Sequence, residues 1–214
     1  MKRFIGIDIG GSHVTAILTD NDFNILKKDH VDLHARDLET VLAAIEKTVT
    51  TVSVDESIDA LGMAVPGNVD PTTNTARYLP NFDWANDVPL GTLVIERLKL
   101  SPTCHVTMRN DGRCAAIAEA VLGSGRNSKV FALLTLGTGI GGSLLINGKL
   151  FDGVSFDAGN IHDLVHNSCS RTIYIHTYHI QVILVIMLLV VIPDLSTVYA
   201  VKKGASKYKQ VPKV

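Results

Sequence analysis

The stretch Thr135-Leu136-Gly137-Thr138-Gly139-Ile140-Gly141-Gly142 follows an apolar run, Val130–Leu134, and is the most informative segment of the chain. The apolar run is typical of a buried β-strand, and the glycines predict a tight turn at its end. A backbone without side chains can bring its N–H groups against phosphate oxygens. The candidate phosphate ligands in this turn are Gly137, Thr138, Gly139 and Gly141.

A second turn of the same kind lies near the N-terminus, where an apolar strand ends in Asp8-Ile9-Gly10-Gly11-Ser12. We expect Gly10, Gly11 and Ser12 to bind phosphate. Asp8 would hold Mg²⁺ through water, because this ion loses its hydration shell reluctantly. Either turn alone could be an ordinary hairpin, with Asp8 exposed at its rim. Two such turns, each after a strand and far apart in sequence, predict a nucleotide held between two lobes.

The overall composition is that of a globular protein. Its 214 residues are 46% hydrophobic, and a net charge of −1 gives no general attraction to nucleic acid. The three cysteines are too few for a disulfide framework, and the N-terminus lacks a signal-peptide pattern. These features predict a protein of the reducing cytoplasm.

The composition changes near residue 160. Residues 161–214 contain 6 Lys+Arg against 2 Asp+Glu, whereas residues 1–160 contain 14 against 19. Within the later part, Ile180–Ile192 is nearly all apolar, but it is shorter than the roughly 20 residues that cross a bilayer, and we expect no membrane association. We therefore predict an N-terminal lobe over 1–122, the start of a second lobe with its phosphate turn over 123–160, and an atypical tail over 161–214 that is disordered or read out of frame.

Hydrophobic periodicity predicts an α/β domain with a mixed sheet. The predicted strands cover residues 4–9, 14–19, 25–33, 58–65, 105–108, 130–136 and 142–146, and the predicted helices cover 38–49, 90–98 and 115–122. Turn residues predict hairpins at Asp20-Asn21-Asp22 and at Asn147-Gly148.

Asn110 and Asp111 close a predicted strand and precede an alanine-rich helix. A carboxylate at this position can accept the proton of a sugar hydroxyl while that oxygen attacks a γ-phosphate. The alternative is an N-cap, a common role of Asp before a helix. The residues alone favour the cap slightly, and both roles stay open.

Two other polar positions allow a functional and a structural interpretation. Asn81, in Leu79-Pro80-Asn81-Phe82, could offer a donor and an acceptor to a sugar hydroxyl, or it could form an Asx turn. His162 and His166, with Cys169 after them, have a spacing that could bind zinc, although ordinary surface or core histidines are the simpler interpretation.

Together these motifs resemble the ROK family (repressor, open reading frame, kinase), most closely its glucokinase-type sugar kinases. The matching segments keep the family's order and approximate spacing. They are Gly6–Ser12, Ala64–Asp70, Leu79–Asn81, Asn110–Ala116, Gly137–Gly142 and Ala158–Gly159.

The resemblance implies an actin-like ATPase (ribonuclease H-like) fold with a complete N-terminal lobe and an incomplete second lobe. It implies transfer of a phosphoryl group from ATP, with Mg²⁺, to a hexose or N-acetylhexosamine. Asp111 would be the base, and the sugar contacts would be Asn81, Asn110, Asp111 and His162. A homodimer is possible, whereas a nucleic-acid partner is not expected, because the first strand begins near Phe4 with no DNA-binding segment before it.

The chain also departs from the family pattern. His13 stands where the family usually has lysine, and Asn160 stands where it has a sugar-binding glutamate. No cysteine cluster follows, only Cys169, so we expect the family's zinc site to be absent; if zinc is bound, His162 is the ligand we assign to it. These departures make the activity of this chain uncertain. They leave open a second hypothesis, a non-catalytic sugar- or nucleotide-binding protein or an inactive kinase remnant.

Overall fold

The computed structural model describes residues 2–136, 140–154, 156, 158 and 198–202. Its elements, in chain order, are β1 (Phe4–Ile9), β2 (His13–Thr19), β3 (Ile25–Asp32), α1 (Leu38–Val52), β4 (Ala60–Val65), β5 (Asn68–Asp70), β6 (Thr75–Tyr78), β7 (Asn86–Val88), α2 (Leu90–Leu98), β8 (His105–Asn110), α3 (Asp111–Val121), β9 (Val130–Leu136), β10 (Ile140–Ile146), β11 (Lys149–Leu150) and β12 (Val198–Lys202). Tertiary contacts divide the chain into two compact units, Met1–Asp111 and Gly112–Val214.

The first unit is built on a five-stranded mixed sheet of order β3-β2-β1-β4-β8. Strands β1, β2 and β3 are antiparallel neighbours, whereas β1, β4 and β8 run parallel. The carboxyl ends of the three parallel strands therefore lie at one edge of the sheet. Polar residues that follow these strands are brought together there, as in other open α/β sheets.

Strict alternation along the strands creates the core of this unit. In β1, β2 and β4 every second side chain is buried, and α1 presents a matching apolar stripe that includes Val41, Ile45 and Val49. Each fully buried aliphatic side chain contributes about 1.5–3 kcal/mol. Helix α1 begins after Asp37, whose carboxylate accepts from the Thr40 N–H (2.9 Å). Hydrogen bonds from Thr40 lower the pKa of Asp37, as expected of an N-cap.

A small sheet of order β5-β6-β7 lies between β4 and α2 in the chain, and the sequence analysis did not predict it. Its strands have three or four residues and no hydrophobic alternation. Side-chain bonds help to hold the β5–β6 hairpin. Asp70 accepts from Thr72 Oγ1 (2.6 Å) and Arg77 Nη2 (2.7 Å), and these bonds lower its pKa to about 2.

The second unit contains α3 and a sheet of order β11-β10-β9-β12. The predicted Asn147-Gly148 turn is confirmed between β10 and β11, since both residues have positive φ (50° and 74°), as a type I′ turn requires. Strand β12, parallel to β9, was not predicted. On α3 the buried Arg113 forms an ion pair with Asp152 and donates to the carbonyl of Ala158 (2.8 Å).

The predicted strands and helices are all found; β1, α2 and β9 have the predicted ends, and the ends of the others are shifted. Strand β8 extends to Asn110, and α3 begins at Asp111 instead of near residue 115. The apolar segment 180–192 lies outside the described residues. Within the part of the chain that the structure describes, no helix is long and apolar enough to cross a membrane.

Candidate functional site

The turn after β1 is a tight connection at the carboxyl edge of the first sheet. The Gly10 N–H donates to the carbonyl of His13 (2.9 Å), which reverses the chain into β2. A Cβ at Gly10 would approach the His13 ring to 2.9 Å, closer than real Cβ atoms come to neighbours. The bare backbone at this position therefore leaves room for the imidazole.

Gly11 brings the turn against a distant residue of the sequence. A Cβ at Gly11 would lie 2.9 Å from both Cγ and Nδ2 of Asn81. The first glycine turn and Asn81, which the sequence analysis assigned to phosphate and to sugar, are thus direct neighbours in the fold.

Asn81 is held at the tip of a short turn. The Phe82 N–H donates to the carbonyl of Leu79 (3.0 Å), and the side chains of Leu79 and Phe82 are both buried. Asn81 itself is exposed. The two apolar neighbours anchor the turn, so that the amide side chain stays available at the surface beside Gly11.

Asp8 and His13 form a polar pair next to the glycine turn. Nε2 of His13 is 3.6 Å from Oδ2 of Asp8, and the Asp8 side chain is 46% exposed. His13 also stacks near His30, with ring centroids 5.1 Å apart. A half-exposed carboxylate one residue before the end of a parallel strand, next to the Gly11-Ser12 turn, suits a hydrated Mg²⁺ and its phosphates, so the residues present fit this ion.

Asn110 is linked to the chain segment that leads to Asn81. Its Nδ2 donates to the carbonyl of Gly67 (3.0 Å). Gly67 has φ +87°, and a Cβ there would strike the carbonyl oxygen of Tyr78 and approach Pro80 Cδ to 2.7 Å. The end of β8, the Gly67 bend and the turn carrying Asn81 therefore form one continuous contact path.

Asp111 directly follows Asn110 as the first residue of α3, and its side chain is exposed. The strand-to-helix junction puts this carboxylate at the same sheet edge as Asp8, since β1 and β8 are parallel to the intervening β4. A carboxylate in the first turn of a helix is favoured by the helix dipole. Asp111 thus stands within the helix rather than before it, and its role as base stays a prediction.

Gly137, Thr138, Gly139 and His162 lie outside the described residues, as do His166 and Cys169. Gly141 lies in β10 and pairs with Thr135. Among the described residues, no group of three or more His, Cys, Asp or Glu side chains could hold a metal ion.

Two features of the site were missed by sequence reasoning. The contact of His13 with Asp8 connects the ends of two antiparallel strands, and only the β1–β2 register reveals it. Gly67 was noticed only as a strand end, although its positive φ and its carbonyl bond to Asn110 make it a junction of the site. The signal available in the sequence was the Pro66-Gly67 pair at a strand end, which is typical of a turn.

The sequence profile of the ROK family matches residues 4–170. The chain belongs to the ROK family. It is 34% identical over 164 residues to a glucokinase of Thermotoga maritima, covering 74% of this chain and 50% of the relative, and similarly related to a glucokinase of Streptomyces coelicolor (34% over 164 residues, 75% and 50%). The chain thus spans about half the length of the curated relatives it matches.

The chain is also similar to solved structures of ROK family proteins. A ROK family glucokinase from Streptomyces griseus, in complex with glucose and AMPPNP, has a TM-score of 0.67 and 32% identity, covering 74% of this chain and 49% of that one. The predicted α/β fold of actin-like ATPase type is confirmed for the part of the chain that these structures cover.

Proposed function

We propose that this ROK chain acts as a sugar kinase. It would transfer the γ-phosphoryl group of ATP to a hydroxyl of a hexose, as a glucokinase does. The observation that carries the proposal is the direct contact between Gly11 and Asn81, supported by Asp8 near the end of β1 and by the Gly67–Asn110 bond at the end of β8. Phosphate-binding backbone and sugar-binding amides must be neighbours in such an enzyme.

The donor side of the proposed site uses backbone groups. The N–H groups of Gly11 and Ser12 bind phosphate oxygens, whereas the predicted ligand Gly10 shapes the turn, since its own N–H is bonded to the His13 carbonyl. Asp8 would hold hydrated Mg²⁺. The metal neutralises charge on the phosphates when it is bound. The second turn, with Gly137, Thr138, Gly139 and Gly141, is proposed to bind the terminal phosphates. Segment 123–160 is the proposed start of the second lobe, after an N-terminal lobe over 1–122.

The acceptor side uses side chains. Asn81 and Asn110 orient the sugar through paired donors and acceptors, with His162 as a further proposed contact. Asp111 takes the proton from the attacking hydroxyl as the new oxygen–phosphorus bond forms. The bond between the γ-phosphorus and its bridging oxygen breaks, and that oxygen leaves with ADP. Positioning and electrostatic stabilisation supply most of the rate in such transfers.

A coupled assay of ADP formation tests the proposal. Mg-ATP is supplied with glucose, N-acetylglucosamine, N-acetylmannosamine or fructose, and formation of the sugar phosphate is followed by mass spectrometry. We expect sugar-dependent ADP formation that is lost in Asp111→Ala. Calorimetry with glucose and a non-hydrolysable ATP analogue accompanies the assay. Binding of both without turnover would overturn the kinase proposal in favour of a non-catalytic binding protein.

A further inference from the structure

Asn74, in the turn between β5 and β6, bonds through both ends of its side-chain amide to the backbone of β8. Its Oδ1 accepts from the Met108 N–H (2.8 Å), and its Nδ2 donates to the carbonyl of Val106 (3.0 Å). In a parallel sheet, one residue of the neighbouring strand makes the same pair of bonds, to the residue before and the residue after the one that it faces. The Asn74 side chain thus bonds to β8 in the way that the backbone of a neighbouring parallel strand would.

The bonds reach the outer edge of β8. β8 is the last strand in its sheet, and in the described parts of the chain β4 is its single strand neighbour. β4 holds the inner side of β8 as far as the pair Val65–Asn110. On the outer side, Asn74 bonds to Met108, which lies two residues before Asn110 and three before Asp111.

Asn74 is itself firmly placed. Its carbonyl accepts from the Gly91 N–H (3.0 Å) at the start of α2, and a Cβ at Gly91 would collide with Cβ of Asn74. Its φ is +53°, a conformation that glycine adopts at least as readily. The turn alone therefore does not require asparagine, whereas the two bonds to β8 do require an amide.

We propose that Asn74 is a positioning residue that fixes the carboxyl end of β8, and through it Asn110 and Asp111, for proton transfer from the sugar. This inference rests on the proposed kinase function for its catalytic consequence. Its structural consequence, an ordered backbone at the end of β8, is measurable without turnover.

The test compares Asn74→Gly with Asn147→Gly in the full chain. Asn147 also has a positive φ (50°), and its exposed hairpin tip makes it a matched control for the conformational freedom that glycine adds. Amide hydrogen exchange is followed by NMR at Met108, Asn110 and Asp111. Turnover with saturating Mg-ATP is measured against sugar concentration, well below the unfolding temperature of each variant.

For Asn74→Gly we expect exchange at all three amides to rise at least about tenfold, because two hydrogen bonds are lost and a single one corresponds to roughly that factor. We expect kcat to fall by a similar factor, with the sugar KM changed less than about twofold, because the interaction serves the transition state. Asn74→Asp keeps the acceptor for the Met108 N–H and should recover part of kcat. Asn147→Gly should leave exchange at these amides and kcat unchanged.

Three outcomes would overturn the inference: unchanged exchange at Met108, increased exchange that stops before Asn110, or increased exchange throughout with kcat unaltered. A wild-type chain that phosphorylates no sugar of the panel would instead overturn the proposed function. In that case exchange at Asn110 and Asp111 still decides whether Asn74 orders the end of the strand.

Discussion

Replacing Gly11 by alanine tests the junction between the proposed phosphate turn and Asn81, the proposed sugar contact. The new methyl group would stand 2.9 Å from Cγ and Nδ2 of Asn81, where ordinary contacts begin at 3.4 Å. The Asn81 amide must therefore move by at least about 0.5 Å, a displacement that breaks hydrogen-bond geometry without breaking the fold. Because Asn81 is exposed at a turn tip, we expect unfolding free energy to change by less than about 1 kcal/mol.

The expected functional result is a weaker sugar site. Loss of one well-placed hydrogen bond costs about 1–1.5 kcal/mol, so the glucose Kd should rise about tenfold. Titration calorimetry with glucose measures this constant directly, and thermal unfolding of the same samples measures stability. Thr92→Ala, on the exposed side of α2, provides a control that leaves the glycine turn intact.

A double-mutant cycle decides whether the effect passes through Asn81. Asn81→Ala removes Cγ and Nδ2, the two atoms that the new methyl group meets most closely. The combined variant should therefore bind glucose about as weakly as Asn81→Ala alone, since coupled neighbours are not additive. Two full, independent losses in the double variant would refute the reasoning, because Gly11 would then act without Asn81.

Three further changes test the proposed base, the β5–β6 hairpin and the Gly67 bend. Asp111→Asn should lower kcat by about 10²–10⁴-fold in the coupled assay, as loss of a general base does, and turnover close to wild type would remove Asp111 from the mechanism. Asp70→Asn should destabilise the protein at pH 6, where the carboxylate is ionised. Its folded pKa of about 2 lies below the unfolded value of about 3.9, so urea unfolding should show the difference fading as the pH falls through both values, and a constant difference would contradict the assignment. Gly67→Ala should cost about 1–3 kcal/mol in urea unfolding, because it adds a Cβ at φ +87° against the Tyr78 carbonyl, and an unchanged midpoint would show that the bend relaxes freely.

The sequence predicted those elements whose pattern is local. The ends of β1, α2 and β9 agree with the structure because apolar periodicity and flanking turn residues both lie within the segment itself. The β10–β11 turn was predictable for the same reason, since Asn-Gly favours positive φ at both positions.

Elements that depend on a distant partner were not predictable. The strands β5, β6 and β7 have no internal periodicity, and pairing between them defines their extent. β8 continues to Asn110 because Val65 pairs with it, which no feature of residues 105–110 reveals. The contact of Gly11 with Asn81 joins positions 70 residues apart, so motif matching could name both residues without showing that they touch.

In the Leu79–Phe82 turn, the residues that anchor the loop differ from the residue that is proposed to bind the sugar. The stability of the turn comes from two side chains that are almost completely inaccessible, while Asn81, the proposed sugar contact, lies between them in solvent. Altering position 81 therefore carries little risk of unfolding the protein. Under the proposed function, we expect a library confined to that one codon to change the sugar preference while its members keep the same scaffold, which makes this loop a practical starting point for redesigning that preference.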